Sequence, residues 1–541
     1  MTQLRHVLLV EDSESAIDDI CLWLEEEGYQ VAVARRLDEA KDVFQRDHFH
    51  AAIVDISLAP HDKQNIDGYR LIQWINSQPR LKDVLPCIVL TANDRDDLAA
   101  EGMGRLPVKF WVRKKPNYSK ELLSALADTF SELVPINFTL KYDDDGEDRL
   151  PRVARHVGWP EGDEAPAERM IVDEIRDLLG KHFRDASRVY FQELTKGLSG
   201  AAVLKVRAMW DSDYGPPHVL KISRRDKVQT EFYNYDKYVS HYLPANTAAN
   251  AKVAYSGYLG AIQYNFAEDA HKPLYEFDEF FRRKSTESVT LALRSLFADT
   301  CRYWQATPHP EFRNLIALYY EALNLNEDKL TSRIRQFLPE LNPAAPRLSL
   351  PDEPHDLINP LFWLRKNYDQ CTVKVYHSIS HGDMTGRNVF VTEQGHCWLI
   401  DFFRTYRSHM LRDFVILETD IKYRLLPELH KAAERPEEYT LAEYRALEQA
   451  LCSGELSPVR ELSPEVRKAT EALLTTRSLA DELMDRHHRD GDNIRRQVLI
   501  SRLITHLNVT RLRHVDTRHK LWALATAGHI CEELDQLPPP R

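Results

Sequence analysis

The first 130 residues alternate short apolar runs with amphipathic helical patterns, and this alternation restricts the fold more than any other feature of the chain. The apolar runs are HVLLV, VAVA, AAIVDI, CIVLTA and VKFWV. Strands that alternate with helices build a parallel sheet covered by helices on both faces. Residues 1–130 are therefore predicted to form an α/β domain with a five-stranded, doubly wound parallel sheet. Its ligands should lie at the carboxyl ends of the strands.

Polar side chains stand where several of these runs end, and a lysine follows the last run. These residues are Glu11, Asp12, Asp55, Thr91 and Lys115. Three carboxylates beside a lysine offer a site for Mg²⁺ and a counter-charge for a phosphoryl group. The set resembles the receiver domain of two-component response regulators, and the resemblance covers residues 4 to 128.

The resemblance implies a role for each of these side chains. Asp55 would be the phospho-acceptor, with Glu11 and Asp12 as its partners in binding Mg²⁺. Thr91 would be the switch hydroxyl. A sensor histidine kinase would be the phosphodonor, and a homodimer through the receiver is an analogy with other receivers.

Two adjacent lysines compete for the phosphate-contacting position of the receiver. Lys115 fits the K-P motif and is our assignment. Trp111, however, stands three residues before Lys114, where the family places an aromatic switch residue. The sequence therefore leaves Lys114 and Lys115 as alternatives.

A second site is predicted in residues 380 to 403, SHGDMTGRNVFVTEQGHCWLIDFF. Two short apolar runs flank the turn EQG, so a β-hairpin should bring Asp383, Asn388 and Asp401 to one end. Two carboxylates and an amide can orient an acceptor hydroxyl and bind Mg²⁺ during phosphoryl transfer. The pattern resembles the aminoglycoside phosphotransferase and choline kinase group of the protein-kinase-like fold.

This resemblance implies a catalytic role for Asp383 and metal binding by Asn388 and Asp401. It also implies an ATP site upstream. Lys221 would contact the nucleotide phosphates, and Glu231 would be its ion-pair partner. The loop TKGLSGA would contribute backbone N–H groups to the phosphates, through Gly197, Ser199 and Gly200.

The remaining segments complete the predicted organisation. Residues 131–185 are expected to be a linker with an acidic loop and an amphipathic helix, and residues 186–430 an α+β, bilobal kinase-like domain. Residues 431–541 have helical spacing and would extend its carboxyl-terminal lobe.

Composition narrows the function classes. The formal net charge of −12 argues against a general nucleic-acid binder. No apolar run approaches the ~20 residues that span a bilayer. Seven cysteines without a C-x-x-C pair fit reduced thiols. We therefore expect a cytoplasmic location.

The prediction is a response regulator whose output is an ATP-dependent phosphotransferase controlled by phosphorylation of Asp55. Its cofactors would be Mg²⁺ and ATP. The alternative is a catalytically silent nucleotide-binding scaffold that acts through protein partners. The sequence leaves open the phosphoryl acceptor, which could be a small molecule or a protein. It also leaves open whether phosphorylation of Asp55 raises or lowers the phosphotransferase activity.

Overall fold

The computed structural model describes most of the chain. The described residues are 5–59, 65–92, 106, 108–160, 165–194, 200–243, 250–265, 274–432, 440–455, 462–487 and 491–538. The chain divides into two compact units. The first contains Met1–Phe232 and Asn250–Ala270, and the second contains Tyr233–Ala249 and His271–Arg541.

The expected five-stranded parallel sheet is present in the first unit, with strand order β2-β1-β3-β4-β5. Its strands are β1 (Arg5–Val10), β2 (Tyr29–Ala34), β3 (Ala51–Asp55), β4 (Cys87–Thr91) and β5 (Phe110–Arg113). The helices described around it are α1 (Glu14–Glu26), α2 (Leu37–Arg46), α3 (Asp67–Ser77) and α4 (Tyr118–Asp128).

Both faces of this sheet are buried, which explains its continuous apolar strands. Leu8 and Val10 of β1 face a core shared with α2 and α3. Val7 and Leu9 face the opposite core, shared with α1 and α4. Because side chains alternate across a strand, each strand needs apolar residues at every position.

The described residues of the predicted linker, 131–160 and 165–185, are folded rather than forming a linker. They contain β6 (Lys141–Tyr142), α5 (Gly146–His156) and α6 (Glu168–His182). Leu150, Ile175 and Leu178 belong to one hydrophobic core with the strands that follow. The acidic run at 143–148 was expected to be a solvated loop, but its last three residues form the first turn of α5, because Leu150 and Val153 give this helix a buried face.

The second sheet of the first unit has the order β11-β12-β10-β8-β7-β6, and β9 pairs with β8. Its remaining strands are β7 (Arg188–Glu193), β8 (Ala202–Trp210), β9 (Asp213–Tyr214), β10 (His218–Arg224), β11 (Asn250–Tyr255) and β12 (Leu259–Asn265). Helix α7 (Arg225–Tyr238) follows β10 directly.

The second unit combines short antiparallel sheets with many helices. Its sheets have the orders β13-β18-β19, β14-β17-β20 and β15-β16. The strands are β13 (Leu274–Glu276), β14 (His309–Asn314), β15 (Arg347–Leu348), β16 (Leu357–Ile358), β17 (Thr372–Ser380), β18 (Val389–Thr392), β19 (Cys397–Leu399) and β20 (Tyr406–His409).

Helices form the rest of the second unit, including the expected helical segment after residue 431. They are α8 (Phe277–Arg283), α9 (Thr286–Arg294), α10 (Arg302–Gln305), α11 (Leu315–Ala322), α12 (Glu327–Arg335), α13 (Pro360–Asn367), α14 (Arg412–Asp420), α15 (Leu426–Ala432), α16 (Leu441–Ser453), α17 (Pro464–His487), α18 (Gly491–Val509) and α19 (Thr517–Gln536). Among the described residues, none of the helices is long and apolar enough to cross a membrane.

Candidate functional site

The sheet register brings together the carboxylates that the sequence predicted at the carboxyl ends of the strands. Val10 is level with Val54, so Glu11 and Asp12 leave β1 beside Asp55 at the end of β3. Oxygen atoms of Glu11, Asp12 and Asp55 all lie within 4.8 Å of one another. Glu11 is fully buried, and a buried Asp12 Oδ2 has no hydrogen-bond partner in the described structure. A hard cation such as Mg²⁺ would satisfy that oxygen, so the residues fit the ion.

Lys114, not Lys115, occupies the position beside the carboxylates. Its Nζ lies 2.7 Å from Asp55 Oδ2 and 2.6 Å from Glu11 Oε2. Lys115 Nζ lies 3.1 Å from Glu121, and its side chain is 58% exposed. The assignment of Lys115 is therefore corrected to Lys114, because the chain turns after β5 and directs the second lysine towards α4.

Thr91 and Gly68 complete the surroundings of Asp55. Thr91 is buried at the end of β4, and its carbonyl oxygen accepts the N–H of Lys114 at 2.8 Å. A Cβ on Gly68 would lie 1.7 Å from the Asp55 carbonyl oxygen. Only glycine therefore allows α3 to begin this close to the end of β3.

The electrostatics of the site favour binding of a cation. Burial raises the pKa of Asp55, although Lys114 opposes the shift. Burial and the neighbouring Asp55 raise the pKa of Glu11. Burial alone would lower the pKa of Lys114, but Asp55 and Glu11 outweigh it and the pKa is raised. One lysine thus only partly balances the carboxylates.

Lys221 and Glu231 form a buried ion pair in the first unit. Lys221 Nζ on β10 lies 2.7 Å from Glu231 Oε2 on α7, and both side chains are at most 5% exposed. Tyr264 on β12 donates its hydroxyl proton to Glu231 Oε1 at 2.5 Å. The structure therefore brings together the two residues that the sequence paired, and adds a tyrosine.

The loop proposed to contact phosphates is only partly covered. Gly197 and Ser199 lie outside the described residues. Gly200 has a φ of +68°, and its carbonyl oxygen accepts the N–H of Gly158 at 3.0 Å.

The predicted hairpin in the second unit places its three polar residues at one end. Strands β18 and β19 pair with Val389 opposite Leu399, and the Ile400 N–H donates to the Asn388 carbonyl at 3.1 Å. Asp401 follows directly. The Asn388 side-chain amide donates to the Asp383 carbonyl oxygen at 2.8 Å, with Asp383 Oδ2 at 3.4 Å. Asp401 has a φ of +67°, a conformation that aspartate tolerates better than most residues.

The loop before Asp383 is held by one buried carboxylate. Asp413 on α14 accepts hydrogen bonds from the Ser380 hydroxyl at 2.9 Å, the His381 N–H at 2.7 Å and the Gly382 N–H at 2.8 Å. Three donors on one carboxylate restrain the backbone of this loop.

His381 fixes the two ends of the site relative to each other. Its Nε2 donates to the Ile400 carbonyl oxygen at 2.8 Å, so Nδ1 is free to accept the Asp383 N–H at 3.4 Å. The ring is fully buried against Phe402. The residue therefore links the Asp383 segment to the segment that carries Asp401.

A separate buried cluster connects the five-stranded α/β domain to helix α6. His48 Nε2 lies 2.6 Å from Asp177 Oδ2, and His50 Nε2 lies 3.0 Å from Asp177 Oδ1. Burial alone would raise the pKa of Asp177, but His50 and His48 lower it well below its usual range. These three residues, the Asp177 clamp, attach α6 to the five-stranded α/β domain.

The Asp177 clamp has metal-binding residue types, but its hydrogen bonds argue against a metal. His50 Nδ1 accepts the backbone N–H of His6 at 2.9 Å. In the neutral ring the proton must then be on Nε2, where it is donated to Asp177. A metal ion at Nε2 would require this proton to leave.

Helix α6 also holds the second sheet of the first unit. Glu174 accepts the N–H groups of Tyr258 and Leu259 at 2.9 Å each, and Lys181 Nζ donates to the Tyr255 carbonyl at 2.7 Å. Sequence reasoning missed the roles of Glu174 and Asp177. The available signal was a carboxylate pair, three residues apart, among the apolar positions of an amphipathic helix.

Comparisons with known proteins match two families along the chain. Residues 186–335 and 331–505 match the family described as Ternary complex associated domain 9, and residues 7–126 match the Response regulator receiver domain. No curated protein matches the chain.

Several solved receiver structures are similar to part of the chain. A CheY-like receiver from Methanospirillum hungatei JF-1 is 22% identical, with 24% of this chain and 96% of that chain covered and a TM-score of 0.20. The receiver domain of a histidine kinase from Syntrophus aciditrophicus is 29% identical, covering 23% and 89%, with a TM-score of 0.20. Chemotaxis protein CheY4 from Vibrio cholerae is 25% identical, covering 23% and 97%, with a TM-score of 0.20.

Proposed function

This chain belongs to the Ternary complex associated domain 9 family and carries a response regulator receiver domain at residues 7–126, and from this premise we propose that it is a two-component signalling protein whose output is an ATP-dependent phosphotransferase. Phosphorylation of Asp55 by a sensor histidine kinase would control that output. The phosphotransferase is assigned to the part of the chain that follows the receiver.

The observation that carries the proposal is the arrangement of Asp383, Asn388 and Asp401 at one end of a hairpin. Asn388 is 9% exposed and bonded to Asp383, and the fully buried His381 ties Asp383 to the strand that ends before Asp401. Such an arrangement supports phosphoryl transfer because its catalysis depends mainly on positioning and on neutralising charge.

Each residue of this arrangement is given one task. Asp383 would accept a hydrogen bond from the acceptor hydroxyl and orient its oxygen for attack. Asn388 and Asp401 supply the oxygen ligands that Mg²⁺ prefers. The ion, when bound, would neutralise charge on the nucleotide phosphates.

Nucleotide binding is assigned to Lys221 and Glu231. A buried lysine 2.7 Å from a glutamate is restrained in one position, which suits a lysine that must contact phosphate oxygens. Tyr264 restrains Glu231 in turn. Gly197, Ser199 and Gly200 remain candidates for contacts through their backbone N–H groups.

Control by the receiver is supported by the position of the Asp177 clamp. Strand β3 has Asp55 at its carboxyl end, and His48 and His50 precede its amino end. Helix α6 joins these histidines to β12, which pairs with β10, the strand that carries Lys221. A phosphoryl group on Asp55 would add negative charge beside Lys114 and so change the charge balance at the carboxyl end of β3.

Two measurements test the proposal. ADP release from MgATP is measured over a panel of acceptors for the wild type and Asp383→Asn, and we expect the variant to lose most of the transfer while keeping ATP binding. Labelling by acetyl phosphate is measured for the wild type and Asp55→Asn. Labelling that survives Asp55→Asn would refute the assignment of the phospho-acceptor.

The description of the family favours one second candidate, a nucleotide-binding scaffold that works by associating with other proteins. On that hypothesis the wild type binds ATP, but wild type and Asp383→Asn release ADP equally poorly with every acceptor. The ADP measurement therefore distinguishes the two functions.

A further inference from the structure

Arg404 lies beside the loop that contains Asp383. The backbone of Arg404 packs on Gly382, since a Cβ on Gly382 would lie 2.2 Å from the Arg404 carbonyl oxygen. Asn234 fixes the same segment by donating to the carbonyl oxygens of Phe402 and Phe403 at 3.2 and 2.8 Å. The exposed Arg404 side chain therefore extends from a restrained turn next to the loop.

Arg511 reaches the same region from the other end of the second unit. Its Nη1 donates to the Asn324 carbonyl oxygen at 3.4 Å, in the turn after α11. Arg412 connects this turn to the loop, because its Nη2 donates to the carbonyl oxygens of Ala322 at 3.2 Å and Gly382 at 3.1 Å. The turn after α11 therefore lies between Arg511 and Gly382.

Several cationic side chains influence one another beside this loop. Burial lowers the pKa of Arg511, and the neighbouring Arg404 and Arg333 lower it further. We call Arg333, Arg404 and Arg511 the arginine cluster. Within the described ranges, no carboxylate forms an ion pair with any of the three.

Lys520 adds to this imbalance. Burial and Arg333 lower its pKa, and Asp516 opposes them only in part. The region beside the loop therefore carries several cations that repel one another.

Several other arginines of the second unit pair closely with carboxylates, as in Arg365 with Glu327, Arg424 with Asp278, Arg477 with Glu418 and Arg495 with Glu533. The whole chain has a net charge of −12, so carboxylates are abundant. Unpaired arginines that repel one another are stabilised when an anion binds among them.

We infer that the acceptor of the proposed phosphoryl transfer is a small anionic hydroxyl compound whose phosphate or carboxylate group is bound by the arginine cluster. The inference rests on the proposed function and gives its acceptor a chemical class. The acceptor hydroxyl oxygen forms a bond to the γ-phosphorus of ATP while the bond from that phosphorus to the β–γ bridging oxygen breaks. The electron pair leaves with ADP, and the hydroxyl proton passes to Asp383.

The experiment measures binding to the full chain by calorimetry in the presence of Mg²⁺ and saturating ADP, which keeps phosphate compounds out of the nucleotide site. The probes are similar in size: glycerol 3-phosphate, glycerate, glycerol and choline. We expect one or both anions to bind and the neutral and cationic compounds not to bind. The two anions distinguish a phosphate site from a carboxylate site.

Arg404→Gln and Arg511→Gln should each weaken anion binding about 10- to 100-fold, since each removes a hydrogen bond between charged groups. Arg495→Gln is the matched control, because it removes one exposed arginine of the same unit away from the cluster, and it should leave the affinity unchanged. Arg404→Lys keeps the positive charge and should bind the anion more tightly than Arg404→Gln does. Denaturation midpoints confirm that the variants fold.

Anions that bind no better than glycerol, or equally well to all variants, would overturn the inference while ADP binding still supports the proposed function. Tighter binding of choline, or of a single-stranded oligonucleotide, would also overturn it. Failure of the wild type to bind ADP would instead refute the proposed function. In that case anion binding can still be compared between the wild type and Arg404→Gln without nucleotide, so the two failures are distinguishable.

Discussion

Removing the lysine of the buried pair gives the sharpest test of the structure. Lys221→Met keeps most of the side-chain volume but leaves the Glu231 carboxylate buried, with a hydrogen bond from Tyr264. Breaking a buried ion pair by removing one partner costs about 3–5 kcal/mol. We therefore expect a large loss of local stability around β10.

Protonation of Glu231 sets an upper limit on this loss. Protonating a carboxyl group of ordinary pKa, about 4.3, costs about 3.7 kcal/mol at pH 7, at about 1.36 kcal/mol per pH unit. The loss at pH 7 should thus be about 3–4 kcal/mol. In the variant the folded-state pKa of Glu231 is raised above the unfolded value, so the penalty shrinks as the pH falls, to about 1 kcal/mol at pH 5.

The assay is amide hydrogen exchange of the strand His218–Arg224 without nucleotide, which reports local opening in a protein with more than one unit. Lys221→Met/Glu231→Gln removes the buried charge and should be more stable than the single variant at pH 7. Lys252→Met, on the exposed face of β11, is the control and should change little. A loss below about 1 kcal/mol at pH 7, or one independent of pH, would refute the reasoning.

Three further predictions concern other parts of the molecule. Gly382→Ala would place a Cβ 2.2 Å from a backbone carbonyl oxygen at a φ of +81°, so we expect loss of transferase activity and a lower denaturation midpoint. Gly454→Ala is the control, because Gly454 has open space around it, and this change should affect the midpoint only through its positive φ. Burial lowers the pKa of His48, but Asp177 outweighs it and the pKa is raised above the ordinary 6.5. The contribution of His48 to stability is complete below its pKa in the unfolded state and is lost as the pH rises through its pKa in the folded state. The denaturation midpoint should therefore fall over that pH interval, and Asp177→Asn should remove this pH dependence. Lys114→Ala should prevent most of the phosphorylation-dependent change in the receiver's tryptophan fluorescence, whereas Lys115→Ala should leave it; the opposite result would restore the K-P assignment.

The receiver could be predicted in detail because its pattern is local and repeated. Each apolar run names a strand, and the residue that ends the run must lie at the carboxyl edge of the sheet. Glu11, Asp12, Asp55 and Thr91 follow from that rule alone. The choice between two adjacent lysines does not, because it depends on how the chain turns after β5 and directs each side chain.

The arrangement of the candidate hairpin in the second unit was predictable for the same reason. Asp383, Asn388 and Asp401 lie within one hairpin, so residues that are close along the chain are also close in the structure.

In the first unit, Lys221 and Glu231 are also close in sequence, on a strand and the helix that follows it. Tyr264 could not be assigned with them, because it reaches Glu231 only through the pairing of β10 with β12.

What the sequence determined by itself was the set of short-range arrangements, in which a period of two or a tight turn dictates which side chains meet. Only the tertiary structure decided that α5 and α6 pack into a core with the strands that follow, that Asp177 joins two receiver histidines more than a hundred positions away, and that Arg511 contacts the turn after α11. Contacts of this kind depend on the packing of distant elements, and packing is set by shape and burial, which leave no periodic signal along the chain.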